Sequence, residues 1–218
     1  GYTLMEFIDG VTLIKKYSQE ELLQKNIYKE MGSMLKKMHQ PKITGFSNIV
    51  NDKSEPEYTD IKSWLLGDVR TREQIAFVKE NKILNDEEHG SVDEACRLLI
   101  SRITTNTESV CSHNDFNSGN IFATEPLTVF DPWPCFHHPY MDLSRAIVVS
   151  LWTSSGEAGE QLIEGYSGDE KCDRKLLQAF IILNVTVKLK YQFETKNFAG
   201  IKTMQEYLAK TKHFLTEN

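Results

Sequence analysis

The segment from Cys111 to Phe122, CSHNDFNSGNIF, holds the side chains of this sequence that are best suited to chemistry. Within it, His113, Asp115 and Asn120 have the spacing H-x-D-x-x-x-x-N, and Asp131 follows at the end of an apolar run. Phosphoryl transfer needs a carboxylate that orients and deprotonates an acceptor hydroxyl, together with oxygen ligands for a Mg²⁺ ion on the nucleotide phosphates. Asp115 suits the first task, and the side-chain oxygens of Asn120 and Asp131 suit the second.

Short strands on either side of this loop are expected to position these groups. Apolar runs at 110–112, 121–124 and 127–130 predict strands, and the Glu125-Pro126 pair between the last two predicts a tight hairpin. Gly119 would let the loop turn sharply before Asn120. The hairpin would then bring Asn120 close to Asp131.

Helical patterns occupy most of the remaining chain. Ser18 and Glu21 form a capping-box pattern, and apolar residues at helical spacing follow as far as Pro41. Similar capping pairs predict helix starts at 71–74 and 91–94. The chain after the hairpin is helical by pattern again, and LLQAFIILNVTVKLKY within it is typical of a buried core helix. We therefore predict a mostly helical α+β fold with the polar loop at its centre.

The composition excludes some partners. The chain has 218 residues, with 25 basic and 31 acidic side chains and a net charge of −6. Nucleic acids and anionic membranes both select positive surfaces, so neither is an expected partner. The four cysteines form no C-x-x-C pair and no apolar run is long enough to span a bilayer, and we therefore expect a cytoplasmic protein with reduced thiols.

Several segments in the same order resemble the aminoglycoside phosphotransferase and choline kinase-like family, which are small-molecule kinases with a protein-kinase-like fold. SHNDFNSGNIF (112–122) is similar to the family's catalytic loop, although Asn114 replaces its usual small residue. VFDPWPCFHHPYMDLSRAI (129–147) is similar to the metal-binding segment and the Pro-x-x-Asp-Leu stretch that follows it. LKKMHQPKITGF (35–46) is similar to the family's Leu-His turn.

The resemblance implies a role for each site residue. Asp115 would be the catalytic base, and Asn120 and Asp131 would hold Mg²⁺. His113 and Asp142 would support the loop through hydrogen bonds without taking part in the chemistry. The implied cofactors are ATP or GTP with Mg²⁺, and the implied acceptor is a hydroxyl of a small molecule such as an aminoglycoside, choline or a sugar. The acidic balance of the chain adds a faint preference for a cationic acceptor.

The opening residues LMEFIDG (4–10) resemble the hinge that joins the two lobes of such kinases. By position, the Glu6 carbonyl and the Ile8 amide would receive the adenine edge. Phe122 would then lie under the adenine and Phe130 beside the phosphates. An ordinary edge strand with a glycine turn is the alternative for the hinge, and either phenylalanine could instead belong to the core.

The expected domain organisation follows from the same resemblance. The matching segments all belong to the family's hinge and C-terminal lobe, so residues 1–10 are expected to be the hinge strand from a missing N-terminal lobe and residues 11–218 the C-terminal catalytic lobe. Such a fragment would fold yet be nearly inactive by itself. The exposed hinge edge would favour a homodimer.

Two other functions are compatible with parts of the sequence. A non-catalytic kinase-like binding module would keep this lobe for its surface. A zinc site could be built from His113, His137, His138 and Asp131, but their spacing matches none of the usual zinc-ligand patterns. His137 and His138 are therefore interpreted as loop residues on the surface or in packing contacts.

Overall fold

The structure is a computed structural model and describes residues 8–47, 56–67, 69–103, 107–150 and 156–211. Helices surround a small β region, so the predicted mostly helical α+β class is confirmed. The helices in chain order are α1 (Leu13–Lys16), α2 (Gln19–Gln24), α3 (Ile27–Met38), α4 (Ile61–Gly67), α5 (Val69–Glu80), α6 (Asp86–Arg102), α7 (Pro139–Ser150), α8 (Gly156–Ser167), α9 (Arg174–Glu194) and α10 (Phe198–Thr211).

The strands form two antiparallel units. They are β1 (Lys42–Thr44), β2 (Glu108–Ser112), β3 (Ile121–Phe122), β4 (Thr128–Val129) and β5 (Cys135–His137). A three-stranded sheet has the order β1-β2-β5, and β3 pairs with β4. Ile121 lies opposite Val129 in the second unit, which confirms the predicted hairpin, although its strands are shorter than the apolar runs suggest. Both units adjoin the polar loop that follows β2.

The capping box at Ser18 is confirmed, but the long helix predicted after it is not. The Ser18 hydroxyl accepts from the Glu21 amide at 3.2 Å, and the Glu21 carboxylate accepts from the Ser18 amide at 2.8 Å. The helix then breaks at Asn26, which has a φ of 56° and separates α2 from α3. Asparagine tolerates this left-handed conformation better than most residues do, so the chain can turn there without losing the apolar spacing.

Two helices begin earlier than the capping pairs predict. Helix α5 begins at Val69, so Thr71 lies inside its first turn. Helix α6 follows a complete capping box between Asn85 and Glu88, with acidic side chains throughout its first turn. Negative charge favours a helix N-terminus, so this box begins the helix before Ser91 is reached. The Ser91 hydroxyl instead hydrogen bonds to a backbone carbonyl one turn earlier.

Helix α9 lies at the centre of the packing, which confirms the predicted core helix. It contacts α5, α6, α7 and α10, and most of its side chains from Leu177 to Leu189 are buried. None of the helices in the described ranges is long and apolar enough to cross a membrane.

Helices α3 and α8 approach each other closely enough that glycine is required at the contact. A Cβ atom at Gly165 would overlap the backbone carbonyl of Lys29, and a Cβ atom at Gly32 would overlap that of Leu162. Neither neighbour is a flexible side chain that could move away. The two helix backbones therefore meet directly at this point.

We expect Gly165→Ala to lower the free energy of unfolding by about 2–3 kcal/mol, because the added methyl group must push two packed helices apart. Gly90→Ala in α6 is the matched control, since its Cβ would have no heavy atom within 4 Å. That control should raise stability by about 0.5–1 kcal/mol through helix propensity. Urea unfolding of both variants measures the effects, and equal stabilities would contradict the packing described here.

Candidate functional site

The loop after β2 folds around its own side chains. A short 3-10 helix, Ser118–Asn120, ends the loop, and the Asn117 carboxamide oxygen caps it by accepting from the Gly119 amide at 2.8 Å. The Phe130 amide then donates to the Asn120 carbonyl at 3.0 Å, which extends the β3–β4 pairing by one residue. Asp131 therefore lies one residue beyond the cross-strand partner of Asn120, as the hairpin prediction requires.

Asp115 is an exposed carboxylate that two asparagines hold in place. The Asn120 Nδ2 donates to Asp115 Oδ2 at 2.7 Å and to the Asp115 carbonyl at 2.9 Å. The Asn117 Nδ2 donates to Asp115 Oδ1 at 3.1 Å. Because the amide nitrogen of Asn120 faces Asp115, its Oδ1 is left as an acceptor on the other side of the group. The structure thus brings Asp115 and Asn120 into direct contact.

His113 is buried with both ring nitrogens engaged. The Asp115 amide donates to His113 Nδ1 at 3.3 Å, which makes Nδ1 the acceptor and assigns the ring proton to Nε2. That Nε2 donates to the Phe130 carbonyl at 3.0 Å. The His113 imidazole therefore connects the loop that carries Asp115 to Phe130, the residue that precedes Asp131.

Asp142 is completely buried in the first turn of α7 and accepts hydrogen bonds from two backbone amides. The His113 amide donates to its Oδ2 at 2.6 Å, and the Asn114 amide donates to its Oδ1 at 2.7 Å. His39 Nε2 also donates to Oδ2, at 3.3 Å. Burial by itself would raise the pKa of the Asp142 carboxyl, but the bond from His39 and the positive charge of Arg145 hold that pKa below its usual value.

Three further residues, His39, Arg145 and Asn184, support the loop, and none of them was predicted as a site residue. His39 lies between Asp142 and the Tyr166 hydroxyl, which is 2.9 Å from its Nδ1. Arg145 donates to the Asn114 carbonyl at 3.2 Å and to the Asn184 carboxamide at 3.1 Å. The sequence offered one signal for each of them. His39 belongs to the Leu-His turn, Arg145 follows Asp142 by one helical turn, and Asn184 interrupts an apolar helix.

The two phenylalanines predicted for the nucleotide site lie against each other. Phe122 and Phe130 are half-buried, with ring centroids 4.6 Å apart. A Cβ atom at Gly10 would be 3.7 Å from the Phe122 ring, and the Ala123 amide donates to the Val11 carbonyl at 2.9 Å. The chain that follows the predicted hinge therefore runs beside β3.

The hinge itself is described only in part. Ile8 is half-buried, whereas Glu6 lies outside the described residues, together with the rest of segment 1–7. The backbone contacts predicted for Glu6 and Ile8, and the homodimer predicted through the hinge edge, stay predictions.

His137 and His138 are packing residues, but the interpretation of His137 as part of a loop is wrong. His137 lies in β5 and is buried, with its ring centroid 5.1 Å from that of Trp64. His138 stacks on Phe180 at 4.9 Å. Burial lowers the pKa of each imidazole to about 3. Across the described ranges, no group of three or more His, Cys, Asp or Glu side chains is arranged to hold a metal ion.

The comparisons with known proteins identify the family and the fold. A family model described as the phosphotransferase enzyme family matches residues 1–176. A comparison with curated protein sequences gave no match.

Among solved structures, a thermostable mutant of aminoglycoside phosphotransferase APH(4)-Ia is similar with a TM-score of 0.67 and 16% identity, over 95% of this chain and 70% of that one. Choline kinase LicA from Streptococcus pneumoniae is similar with a TM-score of 0.57 and 14% identity, over 95% and 69%. Spectinomycin phosphotransferase APH(9)-Ia gives 0.53 and 16%, over 96% and 70%. The chain therefore belongs to the phosphotransferase enzyme family and has its kinase-like fold.

Proposed function

We propose that this protein transfers the terminal phosphoryl group of ATP or GTP, with Mg²⁺, to a hydroxyl group of a small molecule. The observation that carries the proposal is the contact between Asn120 and Asp115, which orients a carboxylate and an amide oxygen beside Asp131. Relatives of the same fold support it, since solved complexes of APH(4)-Ia contain AMP-PNP or ADP together with hygromycin B.

Asp115 would orient the acceptor and take its proton. Its carboxylate is exposed, and the amides of Asn117 and Asn120 fix its position without neutralising its charge. As the acceptor oxygen bonds to the γ-phosphorus, the hydroxyl proton would pass to Asp115. The bond from that phosphorus to the bridging oxygen breaks, and the nucleoside diphosphate leaves with the electron pair. Positioning supplies most of the rate in such a reaction.

Asn120 and Asp131 would hold the metal ion. Both offer side-chain oxygens, which are the ligands that Mg²⁺ prefers. Asp131 is exposed, and among the described residues its carboxylate has neither a hydrogen bond nor an ion pair. It is thus available to a ligand from outside the chain. When bound, Mg²⁺ would neutralise charge on the phosphates.

The phenylalanine pair is the proposed floor of the nucleotide site. Phe122 adjoins Gly10 of the predicted hinge, and Phe130 directly precedes Asp131. A base near Phe122 and phosphates near Asp131 would lie along one edge of the β3–β4 hairpin.

Asp131→Ala should weaken binding of Mg²⁺-ATP by about tenfold or more, because the metal loses a charged ligand. Calorimetric titration with ATP in the presence of Mg²⁺, and again with EDTA, measures this effect. Asp93→Ala, which removes an exposed carboxylate from α6, is the matched control and should bind as the wild type does. Equal ATP affinity in Asp131→Ala and wild type, or no dependence on Mg²⁺ in the wild type, would contradict the metal assignment.

The proposal as a whole is tested with the product of the natural reading frame, by ADP release on addition of small alcohols, with ATP and GTP compared as donors. All kinetic measurements use this same product. Acceptor-dependent release supports a phosphotransferase. The alternative, a non-catalytic kinase-like binding module, predicts binding without release. The expectation that residues 1–218 alone turn over slowly stays a prediction, and comparison with that product would test it.

A further inference from the structure

One small cavity is lined by Asp115, and a second cavity adjoins the first through lining residues that they share. The first has a volume of about 170 Å³ and is lined by Asp115, Arg145 and Lys188, among others. The second, of about 140 Å³, lies between Trp64, Trp133 and Arg145. Asn114, Arg145, Asn184 and Val187 line both cavities, so the two spaces meet at Arg145. A group held there would be next to the proposed catalytic base.

The charged lining of these cavities is mainly basic. Arg145 and Lys188 contribute positive charges, and Asp115 is the only acid among the described residues that line either space. Burial lowers the pKa of Lys188 and the charge of Arg145 lowers it further, while Asp115 acts in the opposite direction. Because both cations line the same cavity, they repel each other in a partly dehydrated space, and an added negative charge would relieve that repulsion.

Arg145 is held in place by hydrogen bonds to neutral groups, and its charge also stabilises the buried Asp142 carboxylate. It donates to the backbone carbonyl of Asn114 and to the carboxamide of Asn184, and neither of these neutralises it. Asn184 is fixed in turn by donating to the Ser144 hydroxyl at 2.7 Å. The guanidinium therefore has a set position and retains its charge.

One polar atom at the junction of the cavities lacks a partner. The side-chain oxygen of Asn114 is buried and makes no hydrogen bond among the described residues. Asn114 lines both cavities. Buried oxygens normally have a donor, and the hydroxyl of a bound molecule could supply one here.

We infer that the acceptor is a small alcohol bearing a carboxylate or phosphate group, which Lys188 and Arg145 bind while the alcohol hydroxyl faces Asp115. The inference rests on the proposed function. It reverses the faint preference for a cationic acceptor that the net charge of the chain suggested. A polycationic aminoglycoside would bring ammonium groups close to Arg145 and Lys188, which are partly buried cations. Among the described residues that line these cavities, no second carboxylate offsets the cost of this repulsion.

The test is a screen of small alcohols grouped by charge, read by ADP release with Mg²⁺-ATP. The groups are hydroxycarboxylic acids, phosphate monoesters with a free hydroxyl, neutral polyols and amino alcohols, with aminoglycosides and choline in the last group. The first two groups distinguish a carboxylate from a phosphate. We expect the highest kcat/KM in one of these anionic groups.

Lys188→Met then tests the contact directly. The KM for the best anionic acceptor should rise by about tenfold, because a charge-assisted hydrogen bond is lost, while the KM for ATP stays the same. Lys190→Met is the matched control from the same helix, since Lys190 lies over the Phe77 ring and near Glu194. Its KM for the acceptor should equal that of the wild type.

The remaining outcomes would contradict the inference alone or the phosphotransferase proposal together with it. A cationic or neutral best acceptor, or an anionic one whose KM is unchanged in Lys188→Met, overturns the inference and leaves the phosphotransferase proposal standing. A rise in the KM for ATP instead of the acceptor would place Lys188 on the nucleotide and also overturn it. If the protein binds Mg²⁺-ATP yet releases no ADP with any group, the phosphotransferase proposal fails and the inference fails with it.

Discussion

Replacing Asp115 with asparagine should lower kcat by about 10²–10⁴-fold and leave the Kd for Mg²⁺-ATP nearly unchanged. A carboxamide has the size of the carboxylate and keeps one of the two acceptor oxygens that Asn117 and Asn120 bind, but it cannot accept the proton of the acceptor hydroxyl. Steady-state kinetics with the best acceptor give kcat, and calorimetry gives the nucleotide affinity.

Asp93→Asn in α6 is the control, because it makes the same chemical change at an exposed site outside the loop that carries Asp115. It should have wild-type kcat. An Asp115→Asn variant with near-wild-type turnover would show that Asp115 is not the base. A variant that loses nucleotide affinity as well would show that the carboxylate acts on the metal or the nucleotide.

Asp142→Ala should lower the free energy of unfolding by about 3–5 kcal/mol. The change would leave the buried amides of His113 and Asn114 without acceptors and would remove the partner of His39. Asp142→Asn keeps one acceptor oxygen and should fall between the wild type and the alanine variant. Urea unfolding at about pH 7 measures the differences.

The control for this prediction is Asp169→Ala, which removes an exposed carboxylate and should change stability by about 0.5 kcal/mol or less. Activity should fall along with stability in the Asp142 variants, because the amides that lose their acceptor belong to the loop that carries Asp115. A fully stable Asp142→Ala would contradict the buried network described here.

The same network predicts how this difference depends on pH. The folded-state pKa of Asp142 is depressed, so its contribution to stability is present above the unfolded-state pKa of about 3.9 and is lost as the pH falls through the folded-state pKa. The stability gap between wild type and Asp142→Asn should thus shrink below about pH 4. His137 adds acid sensitivity to both proteins from about pH 6.5 downward, and it cancels in the gap as long as its imidazole is neutral in both folded states. The cancellation ends near pH 3, because the charge of Asp142 raises the His137 pKa in the wild type only.

The sequence predicts the parts of this site that are local. The H-x-D-x-x-x-x-N spacing and the apolar runs on either side of Glu125-Pro126 depend on residues near one another in the chain, and the loop and hairpin were found where expected. The burial of helix α9 was equally predictable, because its sequence is apolar over most of its length. Local backbone detail was less predictable, as the left-handed Asn26 shows.

The long-range hydrogen bonds that hold the site together could not be predicted in the same way. His39 and Arg145 reach the loop from helices that are distant in sequence, and each looks like an ordinary polar residue in its own segment. The charge beside Asp115 was not predictable for a similar reason. Net charge describes the whole surface, whereas two basic side chains dominate the cavities beside Asp115.

The most direct test of the central proposal is transfer of label from γ-labelled ATP to small molecules by the wild type and by Asp115→Asn. A mixture of small alcohols and a low-molecular-weight cell extract would serve as acceptors, with Mg²⁺ present. The account predicts a labelled small molecule that forms with the wild type and is nearly absent with Asp115→Asn. Label that remains in ATP and inorganic phosphate, appears only in protein, or enters small molecules equally with both proteins would contradict it.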